Sequence, residues 1–382
     1  MRGVRAYSGV DPYTGVGRTI NIEAGMIQSD EPCMAEGLPL FSPGLIDLQV
    51  NGYGGHDLND GDLSAGKVEA LSKALCRVGI SAYLPTLITA NETSICKRLS
   101  AIREASEKLP YSRQMIAGIH IEGPHISSKD GPRGAHPREH IRPPSMEEFE
   151  NWQEAAGGLV AMITIAPELD GAIDYLRQIA KRGVIVALGH SDASEEDIYK
   201  ATDAGAQIST HLGNGLAATL PRHPNAVWAQ LAEDRLSASL ILDGHHLPSS
   251  TAQVMIRAKG TERVILVSDS VKFAGMPPGR YTSPIGGDVE VSNDGRVSVF
   301  GKQFLAGCGV SLLNIVCNFN NLTGLPFSTA VTMATTNPAK FLNRSVGLEP
   351  GKRADFILFD LDATTGSAQP RAIVFGGESV IQ

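Results

Sequence analysis

Several things this chain of 382 residues lacks narrow what it can be. It has no excess of positive charge; the formal net charge is −8, which argues against nucleic acid or an anionic membrane as its main partner. An acidic protein can still hold a local cationic pocket, so an anionic small substrate remains admissible. Cysteine is sparse and scattered. Cys33, Cys76, Cys96, Cys308 and Cys317 form an odd set without any C-x-x-C pair, the pattern of reduced thiols rather than of a disulfide framework. No apolar run approaches the ~20 residues of a membrane span, and the opening "MRGVRAYSGV" has no apolar signal segment. No low-complexity tract or sequence repeat is present. The expectation is a soluble cytoplasmic protein.

What is present is a globular composition, 42% hydrophobic and 19% charged, long enough for one large domain and a smaller one. Short β-branched runs recur, each followed by a turn and a helical pattern. They are "GLIDLQVNG" (44–52), "ISAYLPTLIT" (80–89), "MIAGIHIEG" (115–123), "LVAMITIAPE" (159–168), "VIVALGH" (184–190), "AQISTHLGN" (206–214), "ASLILDGHH" (238–246) and "RVILVSDS" (263–270). Strands alternating with helices imply a parallel sheet, and eight of them close a (β/α)8 TIM barrel of the α/β class. In the fifth unit Ser194 and Asp197 form a capping box, and Gly205 supplies the helix stop. Residues 304–343 read as helical and pack back on the barrel. The two ends break the rhythm. "GRTINIEAGMIQ", two strand-like pieces around Gly25, and the late "ADFILFD" and "RAIVFGGESVIQ" predict a small β-sandwich domain of residues 1–43 with 345–382, beside a barrel of residues 44–344.

Catalytic groups of such barrels gather at the C-terminal ends of the strands. Those positions hold Gln49, Asn51, Glu122, His190, His211, His245, His246 and Asp269, and the loop after Glu122 adds His125, His136 and His140. Glu122, His190 and His211 make a plausible site for one divalent metal: a carboxylate and two neutral imidazoles leave a position open, as catalytic sites do. Taken singly, a strand-end histidine is more often a hydrogen-bonded structural residue, and Glu122 could pair with Arg133 or Arg138. Taken together, the metal explains why a costly carboxylate ends an apolar strand. Asp269 closes another strand too apolar for an idle charge and suits proton transfer, the plainer alternative being a helix N-cap. Gln49 and Asn51 are poor ligands, so one metal is expected. Cys308 reads as a small buried thiol.

The stretches "PGLIDLQVNGYGG", "HIEGPHIS", "GAH", "LGHSDA", "STHLGNG", "DGHH", "LVSDS" and "LAG", in this order, resemble the N-acetylglucosamine-6-phosphate deacetylase family of the amidohydrolase superfamily. The late "NPAKFLN…VGLEPGKRADFILFD" is similar to that superfamily's return to its small β domain, so the likeness spans nearly the whole chain. The resemblance implies a hydrolase that removes the acetyl group from N-acetylglucosamine-6-phosphate. Glu122, His190 and His211 would hold one divalent ion, zinc or iron(II), and Asp269 would exchange the proton. His136 would stabilise the oxyanion and, with Ala135, Asn214, Gly215 and His246, hold the amino sugar. Leu305, Ala306 and Gly307 would line the acetyl group, and Arg222 would bind phosphate, in a homodimer from the neighbouring subunit. The chain departs from the pattern at Gly213, where an aromatic is usual, at "NGL" for "NAM", at "SDS" for "TDA" and in "AATLPRHPN" around Arg222. Gln49-Val50-Asn51 replaces the superfamily's frequent H-x-H, as in mononuclear members. The altered Arg222 loop admits a divergent hydrolase of an unphosphorylated N-acyl sugar or other amide. A non-catalytic binding barrel is the remaining alternative.

Overall fold

The computed structural model describes residues 4–381 except 284–286, 302–304, 363 and 366. Residues 1–3, 363, 366 and 382 of the expected terminal domain, and 304, the first of the expected helical stretch, therefore lie outside the described residues. All eight anticipated strands form one parallel sheet: β1 (Leu45–Val50), β2 (Ile80–Ile88), β3 (Ile119–Glu122), β4 (Val160–Ile165), β5 (Ile185–Leu188), β6 (Ala206–Ser209), β7 (Ser237–Leu240) and β8 (Val264–Leu266), each paired with the next. Their residues are almost wholly buried, because helices cover the outside and side chains fill the inside. Ile46, Leu48, Ala82, Leu84, Met162, Ile185, Ala187, Ile208 and Ile265 pack together as the barrel's interior. Burying each large aliphatic side chain contributes about 1.5–3 kcal/mol. Trp152, Phe149, Leu99 and Ile102 belong to the layer between strands and helices.

The helices start where small polar residues can cap them. Ser145 accepts from the backbone of Glu148, Asn225 from Val227 and Trp228, and Ser194 with Asp197 forms the anticipated reciprocal box. Gly205, with φ +113°, follows that helix in a conformation glycine adopts freely.

The seam between β1 and β8 is built differently from the other joins. A ladder gives way to single bonds: the Asp269 amide donates to Gln49 (2.9 Å) and the Asn51 amide to Ser270 (2.9 Å). Lower down, the Asp47 carboxylate accepts from the Ser268 amide at 3.2 and 3.3 Å and from the Gln49 amide at 3.2 Å. A buried side chain thus takes the place of a neighbouring strand's carbonyls. Burial pushes the Asp47 carboxyl up to about 7.

The terminal strands form a seven-stranded sheet with the C-terminal strands at one end and Gly17–Glu23 and Met26–Cys33 at the other. Ala24 and Gly25, both at positive φ, turn that hairpin. The sheet rolls over its own core of Ile20, Ile22, Ile27, Phe41, Phe356 and Val374, so that the Gly25 turn meets Gly377 from the far end. After the barrel come helices Leu312–Thr323, Phe327–Ala334 and Thr336–Phe341. One unit was not anticipated: an antiparallel sheet of Gly279–Ser283, Gly287–Val291 and Val297–Val299 inserted after β8, with its own core of Phe273, Val289, Val291 and Val297. Among the described residues no helix is long and apolar enough to cross a membrane.

Candidate active site

Three non-glycine residues just past the strand ends hold positive φ: His190 (+52°), His211 (+27°) and Asp269 (+48°). Such backbone costs about 1–3 kcal/mol and persists where the surroundings impose it, as functional sites do. Here it turns each side chain toward the barrel axis.

Glu122, His190 and His211 meet there. His190 Nε2 lies 3.2 Å and His211 Nε2 3.0 Å from Glu122 Oε1, and the two nitrogens are 3.1 Å apart. All three residues are buried. His190 Nδ1 donates to the Pro132 carbonyl at 2.9 Å, so in the neutral ring Nε2 carries a lone pair. That lone pair faces a carboxylate oxygen, an arrangement that calls for a cation between them. Ligand atoms bound tetrahedrally at ~2.1 Å stand about 3.4 Å apart, close to these separations. Among the described residues Glu122 has no arginine partner; Gln49 Nε2 donates to its Oε1 at 2.8 Å.

His136 adjoins the cluster: one of its ring nitrogens and the ligand atoms of Glu122 and His190 lie within 4.8 Å of one another, so a second triad overlaps the first. Its Nδ1 is bonded to Thr89 Oγ1 at 2.8 Å, and burial pushes its pKa down to about 3. Gly134 and Gly215 flank His190; a Cβ on Gly215 would sit 2.9 Å from His190 Nδ1. The site therefore contains a His/Glu cluster able to hold a metal ion.

Asp269 caps no helix. Its Oδ1 accepts from Asn51 Nδ2 at 2.7 Å, and burial, with the Glu122 charge adding to it, raises its carboxyl above the usual carboxylate range. Asn214 sits in the turn after His211, its amide donating to the His211 carbonyl at 2.9 Å. Ala306 bonds to Val297 of the inserted sheet, and Leu305 bridges to Ser298, which carries 305–307 to the mouth. Gly307, at φ +103°, lets the chain pass Val271, whose Cγ1 would lie 2.3 Å from a Cβ. Ala135 borders a cavity of about 530 Å³ shared with His136 and Thr89. Arg222 is exposed and has no partner among the described residues. His246 is paired with Asp243.

Two further buried histidines, His120 and the candidate His125, stay outside the cluster. His120 bonds to Thr164 (2.8 Å), and His125 lies beside Trp152 and bonds to the Arg142 carbonyl (3.2 Å); burial pushes each down to about 4, and both serve structure. Cys308 is a buried thiol, raised by burial, as expected. Sequence reasoning missed Asp47 and Asp243. A charge inside an apolar run and a carboxylate three residues before a histidine were the available signals.

Comparison with known proteins agrees with this geometry. The model of the amidohydrolase family matches residues 40–380. The N-acetylglucosamine-6-phosphate deacetylase of Bacillus subtilis (strain 168) is 32% identical over 325 residues, 84% of this chain and 80% of that protein. The N-acetylgalactosamine-6-phosphate deacetylase of Escherichia coli O157:H7 is 33% identical over 349 residues, 89% of this chain and 90% of that protein. Among solved structures, an aspartate-to-alanine variant of the Mycobacterium smegmatis N-acetyl-D-glucosamine-6-phosphate deacetylase, in complex with N-acetyl-D-glucosamine-6-phosphate, superposes with a TM-score of 0.85 at 27% identity over 96% of this chain and 95% of that one. This chain is an amidohydrolase, a hydrolase belonging to the N-acetylglucosamine-6-phosphate deacetylase family.

Proposed function

We propose that the protein hydrolyses N-acetylglucosamine-6-phosphate to glucosamine-6-phosphate and acetate. The observation that carries this reading is the convergence of Glu122, His190 and His211 within 3.2 Å of one another beside Asp269, in a chain whose relatives bear that activity. Those three residues would hold one divalent ion. The shorter separations favour this triad over the one containing His136, whose Nδ1 is already committed to Thr89. Two imidazoles and a carboxylate suit zinc, with iron(II) the alternative. Such an ion, when bound, supplies a Lewis acid that polarises the amide carbonyl and makes water more acidic.

The protein's own groups do the rest. With Oδ1 engaged by Asn51, Asp269 Oδ2 is left to move protons. It takes one from the water that adds to the acetyl carbonyl carbon, then delivers it to the sugar nitrogen as the C–N bond breaks, and acetate is released. His136 stays neutral. With the Thr89 hydroxyl donating to Nδ1, its Nε2–H points out to stabilise the oxygen that becomes negative. Leu305, Ala306 and Gly307 would enclose the methyl group, while Ala135, Asn214, Gly215 and His246 hold the sugar. Arg222, exposed and without a partner among the described residues, suits phosphate contact across a homodimer. Five free cysteines accord with a cytoplasmic setting.

The test is acetate release from N-acetylglucosamine-6-phosphate with and without a chelator, expected to stop on chelation and resume with zinc. A second reading has one observation in its favour: relatives named for the galactosamine epimer are 33% and 34% identical. Comparing kcat/KM for the two 6-phosphates decides between them.

A further inference from the structure

Asp243, in the loop after β7, is a buried carboxylate that the proposed chemistry does not use. Its side chain is 2% exposed, and it bonds to His245 and His246, with the buried Cys308 thiol beside it. Oδ1 accepts the amides of His245 and His246, each at 2.9 Å, in a tight turn that Gly244 permits at φ +87°. Oδ2 accepts from His246 Nδ1 at 2.7 Å, a short charge-assisted bond. His246 Nε2 has no partner among the described residues, so with Nδ1 committed it is the atom left to meet a ligand. The two histidines diverge: His245 Nε2 reaches the Asp294 carbonyl at 3.3 Å, while His246 Nδ1 turns back to Asp243. Cys308, which bridges to Ser270 beside Asp269, also neighbours the Asp243 carboxylate, which places this loop beside the catalytic strand end.

We infer that Asp243 is a positioning residue for substrate: its carboxylate keeps the proton of His246 on Nδ1 and aims Nε2 at the sugar phosphate in the barrel mouth. This rests on the deacetylase reading for the identity of the ligand, not for the state of the imidazole. Asp243 touches no substrate and acts through His246. The energetic logic is that of oriented imidazoles generally: a ring free to rotate or to exchange tautomers presents the wrong atom part of the time, and affinity falls accordingly.

Asp243→Asn separates the two halves of the role. The asparagine oxygen still accepts the amides of His245 and His246, so the turn survives. Its NH2 group then faces Nδ1 and forces the proton off that nitrogen. In metal-loaded protein carrying 15N-labelled histidine, without substrate, the His246 signals should show a protonated Nδ1 in the wild type and an unprotonated Nδ1 in D243N. A wild-type ring without a proton on Nδ1 would overturn the inference whatever the substrate proves to be. In the kinetic arm, D243N and His246→Gln should each raise the KM for N-acetylglucosamine-6-phosphate tenfold or more, and the double variant should match H246Q within twofold. Multiplying effects, or an unchanged KM in D243N, would equally overturn it. If the wild type releases no acetate while the NMR result holds, the deacetylase reading falls and the positioning role stands.

Discussion

Replacing Asp269 by asparagine isolates proton transfer from everything else the site does. Asparagine keeps the oxygen that accepts from Asn51 Nδ2 at 2.7 Å, and it tolerates the left-handed backbone of this position (φ +48°) better than most residues. Glu122, His190 and His211 are untouched, so metal content should equal that of the wild type. Stability should not fall. Burial, aided by the Glu122 charge, disfavours the ionised carboxylate, as its raised pKa records, and a neutral amide avoids that penalty. The sign is definite: the wild-type group contributes stability below its unfolded pKa that is lost as pH rises through the folded value, and D269N should lack that slope. Activity should collapse. A positioned acid–base group contributes roughly 10²–10⁴-fold, or about 3–5 kcal/mol of barrier at 1.36 kcal/mol per decade, and amide cleavage needs the departing nitrogen protonated. The assay is acetate release at matched zinc occupancy, alongside thermal melts across pH. Turnover within threefold of the wild type at equal metal content would remove Asp269 from the chemistry. Turnover lost together with the metal would assign it to metal holding instead.

Further outcomes follow from single contacts. Asp47→Asn should flatten part of the pH dependence of stability: with a folded pKa of about 7, the native carboxyl contributes stability below its unfolded pKa that is lost as pH rises to about 7. Urea unfolding at pH 5 and pH 8 should reveal a difference of about 3 kcal/mol at most, and identical slopes would refute it. Thr89→Val removes the hydroxyl 2.8 Å from His136 Nδ1 and leaves a buried nitrogen unpaired. A loss of roughly 1–3 kcal/mol, or about 5–150-fold in kcat/KM, is expected, and an unchanged value would free His136 from the role given to it. Gly215→Ala places a methyl 2.9 Å from His190 Nδ1 at a φ of +58°. Bound metal per chain should drop; full occupancy would show that His190 can shift without consequence.

The barrel was legible because each of its strands is a dense apolar run bounded by turn residues, and parallel strands buried on both faces leave that mark. The strand-end histidines, Glu122 and Asp269 stood out for the same reason, as polar groups where apolar ones belong. Contacts between distant positions were not legible. Gln49 and Asn51 are ordinary polar residues until the fold brings them to Glu122 and Asp269, 73 and 218 residues away. Asp47 lay hidden inside a run read as plain strand, since only the closing seam gives its carboxylate amides to accept. The inserted sheet escaped notice because "GDVEV" and "VSV" are short and polar-flanked, and their core is a local patch around Phe273.

The central claim is that the site binds one divalent ion through Glu122 and its two histidines. Elemental analysis of the purified protein, in the wild type and in Glu122→Gln, His190→Gln and His211→Gln, tests it most directly. The account predicts about one ion per chain in the wild type and a loss of more than tenfold in affinity for each variant. Full occupancy in any of the three, or none in the wild type after zinc is supplied, would contradict it.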